Sequence, residues 1–497
     1  MNTIIESLKR HANSRPKQLA FVGETAQETQ LQLSYQQLAE QVFDTAANLT
    51  SLKVKVLALR AENSISWLVV DLAAMVADVV VVPIPTFFTQ SQVEHSLEQS
   101  GADTLIGDWI ESADQLLVGY IANLAVYRRA KAKPVPLLAG TSKITFTSGS
   151  TGQPKGVCLS QQHLSTVASS LATTVTGLAR KHLILLPLST LLENITGVYV
   201  PILLGASVHV YPGRKLGLLG SSQFNAAAFA QQLADIQPQS LVLTPALLLA
   251  LIKLVQSNSQ LAQALKFVAV GGARVSAQLI SAAHDLGIPA YEGYGLSECG
   301  SVVCLNTPKA FKAGSCGKPL SHSQLRIAED GELLVKGNSA LGYLSAPFIE
   351  EWLATGDLAS IDEQGFVHLL GRKKNLLVTA FGRNISPEWI ESEAQALLPG
   401  VPLFVTGDGQ EQLCAVSQHT SNIDAKLSEL NSKLPDYARI GRILLLEKMH
   451  AIPNWFTANG KIRRDQLEQS VSELLSQNLS NVSFHEQMVT RIDLLKS

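Results

Sequence analysis

The chain has 497 residues, too many for a single hydrophobic core, so a large domain and a smaller one are expected. Hydrophobic residues make up 46% and charged residues 16%, a balance that excludes a mainly disordered chain. Formal net charge is −2, from 39 basic and 41 acidic residues, without the basic footprint of a nucleic-acid binder.

The opening residues lack the charged-then-apolar layout of a secretory signal, so the expected location is cytoplasmic. Ser34 stands where it would cap a helix over residues 35–49, in which Leu38, Val42, Ala46 and Leu49 recur at helical spacing. Residues 67–85 are the most apolar stretch. Asp71 and Asp78 interrupt it and prolines end it, so it reads as a buried helix followed by a strand and not as an integral membrane segment. Short Val/Ile/Leu runs at 54–59, 79–82, 183–186, 207–211, 240–243 and 267–270 alternate with helical patterns. Unbroken apolar strands separated by helices imply sheets covered on both faces.

From about Gly331 the texture changes to shorter strands and turns, including a turn at 362–365 before a strand at 366–370. A basic stretch, Gly371-Arg372-Lys373-Lys374-Asn375, precedes a further α/β pattern reaching about residue 470. The expected fold is therefore α/β. A large N-terminal domain (1–373) contains helix-covered sheets and a β-rich subdomain, and a small α+β C-terminal domain follows (374–470). Residues 471–497 read as an exposed helical tail or linker. The five cysteines form no CxxC pair, and their odd number argues against a disulfide framework.

The segment with most chemistry is Thr145-Phe146-Thr147-Ser148-Gly149-Ser150-Thr151-Gly152-Gln153-Pro154-Lys155-Gly156. Its glycines let backbone N–H groups approach an anion, its hydroxyls add donors, and Lys155 supplies a charge suited to polyphosphate. An apolar strand runs into it near Ile144. It is not a Walker loop, because Gly156 and not Ser or Thr follows the lysine.

This segment closely resembles the phosphate loop of the adenylate-forming superfamily, which comprises acyl-CoA synthetases, luciferases and the adenylation domains of peptide synthetases. Further motifs match in order. Gly271-Gly272-Ala273 resembles the turn that lines the family's adenine pocket, which implies nucleotide contacts for Gly272 and Ala273. Tyr294-Gly295-Leu296-Ser297-Glu298 resembles YGxTE with Ser297 for threonine. There the tyrosine face suits adenine, the hydroxyl a phosphate oxygen, and Glu298 a Mg²⁺ ion shared with the phosphates. Thr355-Gly356-Asp357 resembles the family's ribose-binding TGD, since a carboxylate is a natural acceptor for a diol. Arg372 falls where the family has an arginine on ribose and phosphate, and Lys374 where it has the hinge of a mobile C-terminal domain. Residues 382–388 resemble the loop that admits the thiol. The stretch at 457–464 resembles the late lysine motif, with Lys461 as the catalytic lysine. Trp455-Phe456 departs from it, since many relatives have Pro-Arg there.

The resemblance implies ATP and Mg²⁺, with Lys461, Glu298 and Lys155 catalytic and Thr147, Ser148, Gly149, Ser150, Thr151, Gly152, Gly295 and Ser297 among the nucleotide contacts. It implies coenzyme A or the phosphopantetheine of an acyl carrier protein as acceptor. The leucine-rich stretch 185–205 and the style of 371–380 favour a medium- or long-chain fatty acid, with an aryl acid as alternative. No aspartate in 241–246 stands ready for a substrate amine, which disfavours an amino acid. A luciferase-like oxygenase and a catalytically silent nucleotide binder are the rival classes.

Overall fold

The structure, a computed structural model, describes the chain apart from residues 1–2, 110–114, 131, 148–153, 220–222, 345, 381–382, 450–451, 453, 458–461, 477–480, 485–486 and 495–497. The apolar runs form two nine-stranded sheets. In the first, Leu19–Glu24, Ser207–Val210, Lys181–Leu183, Ser240–Leu243, Phe267–Val270 and Ala290–Tyr294 are successive parallel neighbours. In the second, Val56–Arg60 lies between Val80–Pro83 and Thr104–Gly107, and the hairpin Lys143–Thr147/Lys155–Leu159 extends it.

Helices fill the space between the sheets. Leu38, Trp67 and Leu164, from helices Tyr35–Ser51, Ile65–Val76 and Gln161–Thr174, share one cluster with Phe21 and Val208 of the first sheet and Val81 and Val157 of the second. Covering each strand on both faces removes the alternating pattern and leaves the apolar runs seen in the sequence. Ser34 caps Tyr35–Ser51 through a reciprocal bond with Gln37. A second helical layer, with Phe229, Leu248 and Ile280, packs on the outer face of the first sheet.

The strand expected at 183–186 is Lys181–Leu183 instead. The Leu186 N–H leaves the ladder and donates to the Glu193 carboxylate at 3.2 Å. The stretch 67–85 does become a buried helix and a strand, and among the described residues no helix is long and apolar enough to cross a membrane. Its buried Asp71 is compensated. It accepts from Lys143 at 2.7 Å, from the Tyr199 hydroxyl at 2.6 Å and from Asn194 at 3.0 Å.

Gln324–Ile327, Glu332–Lys336, Leu353–Ile361 and Val367–Arg372 form a four-stranded antiparallel sheet. Beyond it, two hydrophobic clusters draw only on residues from Leu377 onward and cover the two faces of a five-stranded sheet. Ile390 and Leu427 belong to one, and Trp455, Leu467 and Val471 to the other. The expected tail is corrected here: after helix Arg464–Ser476 the chain forms strands Asn481–Phe484 and Gln487–Asp493, and the latter pairs with Ile440–Leu446. Its alternation explains this, because Val489 enters one cluster while Ile492 packs against the other. All five cysteines are buried free thiols.

Candidate active site

The phosphate-loop motif is the turn of a hairpin. Thr147 ends one strand and pairs with Lys155, which begins the next. Ser148, Gly149, Ser150, Thr151 and Gly152 lie outside the described residues, as does Lys461. Lys155 is exposed, with Nζ 5.4 Å from the centre of the Tyr343 ring. The Tyr343 hydroxyl donates to Glu298 Oε1 at 2.8 Å. One aromatic side chain thus sits between the phosphate-loop lysine and the expected metal-binding carboxylate.

Tyr343 has no place in the sequence reading above. Its one signal is the preceding Gly342, with φ at 148° and a position where a Cβ would stand 2.3 Å from the Ala346 carbonyl oxygen. Gly295 is also obligatory: a Cβ there would lie 1.6 Å from the Ser301 carbonyl oxygen. That contact folds the chain sharply after Tyr294 and carries Ser297 and Glu298 back to the cavity.

A cavity of about 1470 Å³ gathers most of the expected residues. Thr147, Lys155, Gly272, Tyr294, Gly295, Ser297, Glu298, Arg372 and Lys374 line it, as does Tyr343. Thr457 and Ile462, which flank the lysine-motif turn, line it as well, whereas the described residues of 382–388 do not. Phe456 and Ile462 pair across the base of that turn. Trp455, which departs from the family pattern, is buried in the small domain's core and donates Nε1–H to Ser470 at 3.0 Å. Aromatic packing therefore anchors this loop where many relatives carry Pro-Arg.

Two expected residues are outside the lining. Ala273 follows the lining glycines but is not itself part of the lining. Asp357 is 7% exposed and is held on both sides. Its Oδ2 accepts from the Tyr294 hydroxyl at 2.7 Å, and Oδ1 pairs with Arg372 Nε at 2.8 Å. Burial pushes its carboxyl upward, against the pull of Arg372. The Tyr294 hydroxyl is likewise raised by burial and by the adjoining carboxylate.

Glu298 suits a hard cation such as Mg²⁺, which takes oxygen ligands and keeps water or phosphate in most positions. Among the described residues no group of three or more His, Cys, Asp or Glu could hold a metal alone. The donor set therefore fits a magnesium ion brought in with nucleotide phosphates, not one caged by protein.

The remainder of the cavity is largely apolar. It runs between the first sheet and the segment Leu191–Leu204, past Leu191, Leu192, Val200 and Leu204, and touches the π-helical turn Ile195–Tyr199 at Thr196. The leucine-rich stretch thus lines a cavity and packs a core at once.

A family model described as AMP-binding enzyme matches residues 8–344. The chain belongs to this family. Over nearly its full length it is similar to a 2-succinylbenzoate–CoA ligase of Listeria monocytogenes, 25% identical across 94% of this chain and 99% of that enzyme. A shorter match, 41% identical, links 25% of this chain to 22% of a long-chain-fatty-acid–CoA ligase of Mycobacterium bovis. Among solved structures, an anthranilate CoA ligase in complex with anthranoyl-AMP superposes with a TM-score of 0.77. That likeness is 20% identical in sequence, covers 95% of this chain and 98% of that one, and shows the shared fold. The adenylate-forming assignment holds. The full-length likeness is to a 2-succinylbenzoate–CoA ligase, whereas the likeness to a long-chain-fatty-acid–CoA ligase covers a quarter of this chain.

Proposed function

We propose that this AMP-binding enzyme is an AMP-forming acid–CoA ligase acting on an aryl carboxylic acid. In the first half-reaction a carboxylate oxygen bonds to the α-phosphorus of ATP, and the bond to the β-phosphate oxygen breaks, releasing pyrophosphate. In the second, the coenzyme A thiolate attacks the acyl carbon and AMP departs. The observation that carries this reading is one cavity that joins a polyphosphate-suited face (Lys155, Ser297, Arg372) to an apolar arm long enough for an acyl group.

The barrier to the first step is the approach of two anions, so catalysis rests on fixed positive charge and backbone donors. Lys155 and Arg372 are the described cations suited to it, and Lys461 is assigned the same task at the α-phosphate. Glu298, steadied by Tyr343, would hold Mg²⁺, which when bound would neutralise phosphate charge. The thiol-admitting role of 382–388 belongs to a second arrangement of the small domain about Lys374.

The leucine-rich arm and the local match to a fatty acyl ligase favour a second reading, a fatty acid. Mg²⁺-dependent ATP–pyrophosphate exchange over aryl, fatty and amino acids decides between them. Exchange peaking with aryl acids supports the proposal, a peak at one fatty chain length supports the second reading, and no exchange with any acid removes both.

A further inference from the structure

The apolar arm contains one built polar chain. His182 and Ser240 line the cavity, and Ser240 Oγ lies 2.9 Å from His182 Nδ1. His182 Nε2 is 3.1 Å from Glu193 Oε1, while Glu193 Oε2 accepts the Leu186 N–H at 3.2 Å. His182 is 4% exposed and Glu193 fully buried. Gly197, in the π-helical turn, makes room for them. A Cβ there would stand 2.5 Å from Glu193 Oε1 and 3.0 Å from His182 Nε2. A buried histidine–carboxylate pair inside an apolar arm costs desolvation, and the missing side chain shows that the fold accommodates it.

The direction of the bonds follows from the acceptors. Taking Glu193 as acceptor of the Nε2–H, as it is of the Leu186 N–H, leaves Nδ1 to receive the Ser240 hydroxyl proton. Ser240 Oγ then offers lone pairs, and no proton, to the cavity. The hydroxyls of Thr190 and Thr196 each donate to a backbone carbonyl of their own segment, at 2.6 Å, and have no part in this chain of bonds.

Resting on the proposed acid–CoA ligase, we infer that Ser240, set by His182 and Glu193, selects an aryl acid bearing a hydroxyl at the end remote from its carboxylate. Thr244 lines the cavity just past the end of this strand, beside the expected nucleotide turn because the Gly271 N–H donates to the Leu243 carbonyl, and is four residues on from Ser240, or about 13 Å. An extended chain gains about 1.2 Å per bond, so a hydroxyl meeting Ser240 lies on the order of ten bonds from the carboxylate. That is beyond a simple benzoate. At Ser240 itself a second carboxylate is disfavoured, since the hydroxyl presents acceptors there.

The test is pyrophosphate exchange with 6-phenylhexanoate, its para-hydroxylated form and its para-methoxylated form, with decanoate and terminally hydroxylated decanoate as a second pair. The wild type should favour each hydroxylated acid in kcat/KM by about tenfold to a hundredfold, and the methoxy acid should gain nothing. Ser240→Ala should bring the hydroxyl-to-parent ratio toward one, and Ser240→Thr should restore it. An unchanged ratio in Ser240→Ala, or equal use of methoxy and hydroxyl acids, overturns the inference and leaves the ligase standing. Exchange with no acid of any kind removes the ligase reading and this inference together.

Discussion

The Tyr294 hydroxyl donates to Asp357 at 2.7 Å while Arg372 holds the other carboxylate oxygen at 2.8 Å, so both oxygens of the expected ribose-binding aspartate already have a partner. Strand pairing fixes this, because Asp357 and Arg372 stand opposite each other in neighbouring antiparallel strands. To bind a diol, Asp357 either offers a remaining lone pair on each oxygen or exchanges one partner for the sugar. Asp357→Asn should raise the KM for ATP by about tenfold to a hundredfold, the scale of a charged hydrogen bond. Tyr294→Phe should give a smaller effect, and the double variant less than the sum, because both act on one carboxylate. Additive effects on KM would show that the two side chains do not share a task.

The late lysine loop gives a second contrast. Lys461→Ala should abolish pyrophosphate exchange but spare acyl transfer from a preformed adenylate. Trp455 is 1% exposed in the small domain's core, and Trp455→Ala should destabilise that domain by about 3–5 kcal/mol. Trp455→Phe keeps most of the packing while losing the bond to Ser470, so it should retain exchange. Chemical unfolding monitored beside both half-reactions separates the two cases. Normal exchange in Lys461→Ala would sink the assignment of that lysine.

The contrast between these two residues shows what a sequence discloses. Lys155, Glu298, Asp357 and Arg372 are legible because their chemistry needs fixed residue types at short, ordered spacings. The parallel strands are legible because burial on both faces leaves unbroken apolar runs. Tyr343 was missed because its partners, Lys155 and Glu298, are far away in sequence and meet only through sheet pairing. The Ser240–His182–Glu193 chain was missed for the same reason, as each member alone looks like an ordinary core or loop residue. The final strand was read as a tail because Gln487–Asp493 is half polar, and only its sheet neighbour gives that alternation a meaning.

Stability should depend on pH through Glu292. This side chain is 7% exposed beside Arg274, next to the expected adenine turn, and burial pushes its carboxyl up to about 8 despite the arginine. In the unfolded chain it titrates near 4.5. The folded state therefore keeps a proton that the unfolded state has lost. Its contribution is fully present below about pH 4.5 and is lost as pH rises through about 8. Glu292→Gln cannot ionise, so unfolding free energies of wild type and variant should diverge progressively between those limits. A difference that stays flat with pH would show that Glu292 ionises in the folded protein as it does in the unfolded chain.

The last expectation concerns the joint between the domains. Gly371 has φ at 152°, and a Cβ there would lie 2.3 Å from Ser386 Oγ and 2.6 Å from Ser386 Cβ. Ser386 immediately precedes helix Pro387–Leu397 of the small domain, so this contact presses the two domains together beside Arg372 and Lys374. In this arrangement the flanks of the lysine motif face the cavity, as the first half-reaction requires. Gly371→Ala should therefore impair pyrophosphate exchange more than thioester formation from a preformed adenylate, since rotation of the small domain would relieve the overlap. Pairing it with Ser386→Gly removes the opposing atoms and should recover part of the exchange, leaving only the backbone cost of a side chain at positive φ, about 1 kcal/mol. If Gly371→Ala slows both half-reactions equally, and Ser386→Gly recovers neither, the contact is a fixed structural support and the hinge lies elsewhere.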